Sequence, residues 1–195
     1  CLTEKHLDIP IEYETLIAAG SMMGSGGMIV MDEDDCMVDF AKFFLEFTVE
    51  ESCGKCTPCR IGNKRLHELL ERICKGNGAT EDIDRLINLS IVIKDTSLCG
   101  LGQSSPNPVL ATLEHFRHEY DAHIIDKKCP AGVCKALMSY EIVPDNCVGC
   151  TACARACPVG AISGERKQIH KIDPKLCIKC GACLERCKFN AVIVN

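Results

Sequence analysis

The chain has no tryptophan, only three tyrosines and six phenylalanines among 195 residues. So few rings, with no interleaving of basic and aromatic side chains, argue against a nucleic-acid partner. It also lacks an apolar run long enough to span a bilayer and a secretory leader, so neither a membrane span nor export is expected. It lacks a methionine at position 1, and part of a longer protein is therefore expected. Positive charge is scarce in the first two-thirds. Residues 1–128 carry 13 Lys+Arg against 22 Asp+Glu, a net of −9, whereas residues 129–195 carry 9 against 5, a net of +4.

Cysteine is what the chain has in excess, with seventeen. In a secreted protein that fraction reads as a disulfide scaffold. Here the spacing reads as metal, which implies a reducing, cytoplasmic setting. Cys147-x2-Cys150-x2-Cys153-x3-Cys157 recurs as Cys177-x2-Cys180-x2-Cys183-x3-Cys187. Three thiolates two residues apart wrap one corner of an iron–sulfur cube, and the fourth comes from the other repeat. Cys147, Cys150, Cys153 and Cys187 are thus expected to hold one 4Fe–4S cluster, and Cys177, Cys180, Cys183 and Cys157 a second. Zinc ribbons use C-x2-C pairs rather than a fourfold run. Over 140–195 the chain resembles the bacterial two-cluster ferredoxins. It departs from them at Lys188, where the first repeat has Pro158.

Ahead of the repeats, helical periodicity dominates. Asp32–Asp35 suits the start of a helix, and Met37, Phe40, Ala41, Phe44 and Leu45 then share a face. A second helix is expected from Pro58, with Leu66, Leu69, Leu70 and Ile73 inward and Gly76 at its end. A third starts at Thr80 and buries Ile83, Leu86, Ile87 and Ile91. A fourth starts at Asn107-Pro108 with Val109, Leu113, Phe116 and Tyr120. Short links between four helices predict a four-helix bundle over 36–123. Residues 1–35 read as extended and β-rich. Their glycine run, Gly20 to Gly27, leads into Met28-Ile29-Val30 rather than a helix, so it is a turn and not a nucleotide loop, and the methionines read as core filler.

The links of this bundle carry a third thiol set. Cys53, Cys56 and Cys59 are again two residues apart, and Cys99 is the fourth. Gly54 and Gly100 let backbone N–H groups reach sulfur, and Lys55 and Arg60 add positive charge. Spacing alone leaves zinc open here. The surrounding words, Ser-Cys-Gly-Lys-Cys-Thr-Pro-Cys-Arg at 52–60 and Ser-Leu-Cys-Gly-Leu-Gly-Gln at 97–103, resemble the flavin-carrying, NADH-binding subunit of complex I-type dehydrogenases. That resemblance implies that these four cysteines hold a 4Fe–4S cluster fed by FMN. It also implies that residues 1–35 end a preceding β-rich, ubiquitin-like (SLBB) domain, and that FMN and NAD(P) bind upstream of this chain. With the fused ferredoxin module, the whole resembles the beta subunit of electron-bifurcating and NAD(P)-reducing iron-only hydrogenases. The implied partners are a hydrogenase catalytic subunit, a thioredoxin-like 2Fe–2S subunit and ferredoxin. A formate dehydrogenase or a bifurcating transhydrogenase with the same relay remains an alternative parent, as does a metal-stabilised docking module.

Five cysteines remain. Cys129-Pro-Ala-Gly-Val-Cys134 is a tight turn with His123 just ahead. With Cys36 as fourth ligand, or Cys1 in its place, these form a structural zinc site. His115 and His118 are alternative ligands, Cys74 reads as a plain helix residue, and His6, His67 and His170 carry no signal. The expectation is an α+β chain: residues 1–35 a tail, 36–123 a bundle with one cluster, 124–144 a linker with the zinc turn and a hinge between Lys135 and Pro144, and 145–195 a ferredoxin-like βαβ repeat with two clusters. No catalytic residue is expected.

Overall fold

A computed structural model describes residues 1–194, and it divides at Cys134 into two compact units. In the first, α1 (Tyr13–Ala18) precedes α2 (Met37–Glu51). A π-helical turn, Pro58–Gly62, runs into α3 (Asn63–Cys74), followed by α4 (Glu81–Thr96), α5 (Gly100–Ser104), α6 (Asn107–His115) and α7 (Arg117–Asp121). A second π-helical turn, Ala122–Asp126, closes the series. Helix α2 packs on α3 and α6, and α4 packs on α3 and α6. The core between them is Val38, Ala41 and Leu45 of α2, Leu66, Leu70 and Ile73 of α3, Ile83, Leu86 and Ile93 of α4, and Val109 and Leu113 of α6. Each of these side chains other than Ala41 contributes about 1.5–3 kcal/mol on leaving water.

Four expectations need correction in this unit. Among the described residues, 1–35 hold no strand: Tyr13 opens a helix, and Met28, Ile29 and Val30 are exposed without a strand partner. A strand needs a neighbour for its backbone groups, and none lies alongside. Met22 and Met28 are likewise exposed rather than core. In α4 the buried stripe runs Ile83, Leu86, Ser90, Ile93, leaving Ile91 on the outside. The expected fourth helix is broken at Phe116 (φ −125°, ψ 34°) into α6 and α7. The break lets the Tyr120 and Thr112 hydroxyls meet at 2.8 Å inside the core.

The second unit, residues 135–195, is built of two like halves. The first runs β1 (Tyr140–Ile142), the cysteine loop, α8 (Ala152–Ala156) and β2 (Ile162–Ser163). The second runs β3 (Lys171–Ile172), the second loop, α9 (Ala182–Arg186) and β4 (Val192–Val194). Strand β1 pairs antiparallel with β4, Tyr140 opposite Val194, and β2 pairs with β3. The halves therefore interlock, and Cys153, Ile162, Cys183 and Val192 form one small core between them. The expected 124–144 linker is divided: residues up to Cys134 belong to the first unit, and Tyr140–Ile142 is a strand of the second. A hinge cannot lie within a paired strand, so the hinge expected between Lys135 and Pro144 is confined to the residues before Tyr140.

Candidate metal centres

The second unit holds two small, partly open cavities. The first is lined by Cys147, Cys150, Cys153 and Cys187. The second is lined by Cys157, Cys177, Cys180 and Cys183. Each therefore takes three cysteines from one repeat and one from the other. The fourth cysteine of each repeat leaves its helix in extended backbone, at Cys157 and Cys187. There its sulfur accepts a backbone hydrogen bond four residues on, Ala161 to Cys157 at 3.2 Å and Ala191 to Cys187 at 3.3 Å. Burial would push the Cys187 thiol up, but N–H groups of Phe189, Ala191 and Val192 outweigh it and hold it below the usual range. Cys153 and Cys183 face the shared core, where burial pushes them up. A thiolate there needs a cation to bind. These are donor sets that suit clusters, which place one sulfur on each of four irons.

In the first unit the structure sets the loop before Cys99 against the Cys53–Cys59 segment. The backbone N–H of Leu98 and then that of Cys59 hold the Cys56 thiol below its ordinary range. Cys59 is buried on the π-helical turn, where Ser52 Oγ lies 3.4 Å and Asn63 Nδ2 3.5 Å from its sulfur. Ser105 donates to the Asn63 carbonyl at 2.8 Å and fixes that amide. Cys53 and Cys99 are exposed. Gly54 adopts φ +74°, as the loop requires, whereas Gly100 lies in open space with no such demand. Lys55 and Arg60 are exposed.

The leftover ligands come together in the same unit. Cys36 Sγ, His123, Cys129 Sγ and Cys134 Sγ are all buried, with ligand atoms within 4.8 Å of one another. Cys36 Sγ is 3.9 Å from Cys134 Sγ and 3.3 Å from His123 Nε2. Tetrahedral zinc with Zn–S of about 2.3 Å and Zn–N of about 2.0–2.1 Å spaces sulfurs about 3.8 Å apart and sulfur from nitrogen about 3.5 Å apart. The pocket therefore has zinc dimensions. His123 rides on the second π-helical turn, and such turns gather at functional sites. Its Nδ1 donates to the Glu119 carbonyl at 2.7 Å, so Nε2 faces the thiols. Outer groups complete the setting: Asp39 N–H on Cys36 at 3.4 Å, Cys134 N–H on Cys129 at 3.5 Å, and Met37 N–H on the Glu119 carboxylate at 3.0 Å. Contact with Cys134 and then Cys36 pulls the Cys129 thiol below its ordinary range, while contact with Cys129 pushes both of those thiols up. Burial pulls His123 down, but the bonds to Cys129 and Cys36 reverse this and raise it to about 10.

Of the alternatives, Cys1, His115 and His118 lie outside this group, with His115 against the His6 ring. Cys74 is not a plain helix residue. It is buried, and its sulfur lies within 4.8 Å of those of Cys134 and an Asp39 carboxylate oxygen. Its position directly after the inward Leu70 and Ile73 was the available signal.

Residues 39–123 match the NADH-ubiquinone oxidoreductase-F iron–sulfur binding region, and residues 146–191 match the 4Fe–4S dicluster domain. Both are iron–sulfur domains. NADP-reducing hydrogenase subunit HndC of Solidesulfovibrio fructosivorans is 63% identical over 98% of this chain. The F-type NADH-quinone oxidoreductase subunit of Mycobacterium tuberculosis H37Rv is 45% identical over 66% of it. The chain spans 39% and 29% of those two subunits. A crystal structure of an H2-reduced NAD+-reducing NiFe-hydrogenase aligns with 63% of this chain and 20% of its own, at TM-score 0.56 and 31% identity. The chain thus resembles the iron–sulfur part of F-type, NAD(P)-linked subunits joined to a two-cluster domain. No described helix is long and apolar enough to cross a membrane.

Proposed function

We propose that the chain is an electron relay of three 4Fe–4S clusters and one structural zinc in an NAD(P)H-linked hydrogenase of the electron-bifurcating type. The observation that carries this reading is the pair of cavities, each lined by three cysteines of one repeat and one of the other. The cluster of the helical bundle takes Cys53, Cys56, Cys59 and Cys99. The other two take the crossed sets, and zinc takes Cys36, His123, Cys129 and Cys134. The clusters supply one-electron storage. The chain's own residues hold them, exclude water from the buried thiolates and direct N–H groups at sulfur, which helps set each potential. FMN and NAD(P) belong to residues outside this chain. A hydrogenase catalytic subunit, a thioredoxin-like 2Fe–2S subunit and ferredoxin are the partners, in the cytoplasm. The 63% identity with an NADP-reducing hydrogenase subunit favours this parent over a formate dehydrogenase.

Iron, acid-labile sulfide and zinc analysis of anaerobically purified protein tests the proposal, with a redox titration followed by electron paramagnetic resonance. About twelve iron and twelve sulfide, with three reducible centres, are expected. A reproducible value near eight in fully reconstituted protein would remove the bundle cluster, and centres that cannot be reduced would leave a docking module.

A further inference from the structure

The two halves of the second unit are in register, and this exposes one difference between them. Tyr140 stands seven residues ahead of Cys147, and His170 seven residues ahead of Cys177. Each ring lines the cavity of the set whose triplet lies in the other loop's half: Tyr140 that of Cys177, Cys180 and Cys183, and His170 that of Cys147, Cys150 and Cys153. A tyrosine thus occupies one site and an imidazole its counterpart.

His170 is held firmly. It is 1% exposed. The segment leading to it lies on the first cysteine loop, with Lys167 N–H donating to the Gly149 carbonyl at 2.9 Å. A Cβ on Gly149 would come within 2.5–2.7 Å of the Lys167–Gln168 backbone, so glycine there permits the close approach. On its other side the ring packs against Gly164, where a Cβ would stand 2.8 Å from His170 Cγ. Its Nδ1 lies 3.1 Å from the Gln168 carbonyl, which only accepts, so Nδ1 carries a hydrogen. Its Nε2 is buried and has no partner among the described residues. Buried polar atoms in folded proteins are almost always satisfied. On a neutral ring with its hydrogen on Nδ1, Nε2 could only accept, and cluster sulfur also accepts; the two pair only when Nε2 takes a second hydrogen, which four cysteine thiolates lining the same cavity favour.

We propose that His170 donates a hydrogen bond from Nε2 to the cluster held by Cys147, Cys150, Cys153 and Cys187, and so makes it the easier of the two ferredoxin-type clusters to reduce. With Nδ1–H on the Gln168 carbonyl and Nε2–H on sulfur, the bound ring carries both hydrogens and a positive charge. A buried positive charge beside a cluster favours its more negative, reduced form. Tyr140 brings no such charge to the other cavity. The proposal rests on the cluster reading above, and its test separates the two.

The test uses the anaerobically purified full chain with its clusters in place. Wild type is labelled with 15N-histidine, and His170→Phe and His170→Tyr keep a buried ring, the second matching Tyr140. Iron and sulfide analysis comes first: wild type without this cluster would overturn the cluster reading and the proposal together. With the cluster present, nitrogen couplings in the pulsed spectrum of its reduced state are expected in wild type and lost in both variants. At a poise that half-reduces this cluster in wild type, the variants should hold a reduced-to-oxidised ratio about tenfold lower, as for loss of a hydrogen bond to a charged group. The Cys157, Cys177, Cys180 and Cys183 cluster should titrate unchanged. A full cluster with no nitrogen coupling in wild type and unmoved potentials in folded variants would overturn the proposal while leaving the cluster reading intact. If neither variant folds, the wild-type coupling alone decides.

Discussion

Cys36 Sγ lies 3.3 Å from His123 Nε2 across 87 residues of chain. That distance joins the first turn of α2 to the π-helical turn after α7, and Cys129 and Cys134 close the same pocket. One zinc per chain is the expected content. His123→Ala and Cys129→Ser should each weaken zinc by at least ~100-fold, since even outer partners of metal ligands matter by 10–100-fold. A loss of about 2 kcal/mol lowers the melting temperature of a unit this size by roughly 5–10 °C. Cys74→Ser is the control. Cys74 also lies within 4.8 Å of Cys134, yet zinc content should survive its loss. Zinc analysis with calorimetry reads both, and zinc that persists in the ligand variants would sink the site.

The crossed cysteine sets differ from sequential ones in a measurable way. Cys187→Ser should damage the cluster of Cys147, Cys150 and Cys153, not that of its neighbours Cys177, Cys180 and Cys183. Cys99→Ser should lower iron from about twelve to about eight per chain and leave both ferredoxin-type signals in place. Iron analysis and electron paramagnetic resonance of each variant check this. Loss of the neighbouring triplet's signal in Cys187→Ser would reverse the pairing.

Asp82 is fully buried at the start of α4 and organises the turn before it. Its carboxylate accepts from Ala79 N–H at 2.9 Å and from Arg85 at 3.1 Å, and it pairs with Arg72. This bond replaces the Thr80 cap that the sequence promised, since Thr80 makes no side-chain cap. Asp82→Ala strands the Ala79 N–H but leaves both arginines partly open to water. Truncating one partner of a buried ion pair costs about 3–5 kcal/mol, and the exposure of the arginines reduces that to about 1–3 kcal/mol. Urea unfolding with an unchanged m-value measures it. A change below about 0.5 kcal/mol would mean that the carboxylate contributes little.

Spacing made the cysteines readable. Short loops force C-x2-C triplets onto one corner, so the residues lining each cavity follow from counting. The helices were readable because Leu66, Leu70 and Ile73, or Val109 and Leu113, recur at helical spacing. What escaped depended on contacts far apart in sequence. Tyr140–Ile142 becomes a strand only because Val192–Val194 lies beside it, so the second unit begins before the first cysteine loop. Extended pieces in 1–35 found no partner strand and did not form one. Phe116 breaks a helix whose apolar positions continue unbroken through Tyr120, which periodicity cannot show. His170 carried no signal alone. The seven-residue register to Cys177, shared with Tyr140 and Cys147, was the clue.

Gly149 offers the sharpest test of how the first cluster loop is built. Two effects act there. Its φ of +67° disfavours any side chain, and a Cβ would collide with Gln168 N and O at 2.5 and 2.6 Å. Gly160 has nearly the same φ, +64°, with nothing within 4 Å of its Cβ position. Gly160→Ala therefore isolates the backbone term, about 1–2 kcal/mol. Gly149→Ala adds a clash with main chain that no rotamer relieves. The Lys167–Gln168 segment must lift, breaking the Lys167 to Gly149 bond and opening the cavity around Cys147, Cys150 and Cys153. The expected result is near-normal iron in Gly160→Ala and selective loss of this one cluster in Gly149→Ala, about four iron fewer. Equal behaviour of the two variants would show that backbone strain alone governs, and that the close packing over Gly149 does not hold the loop.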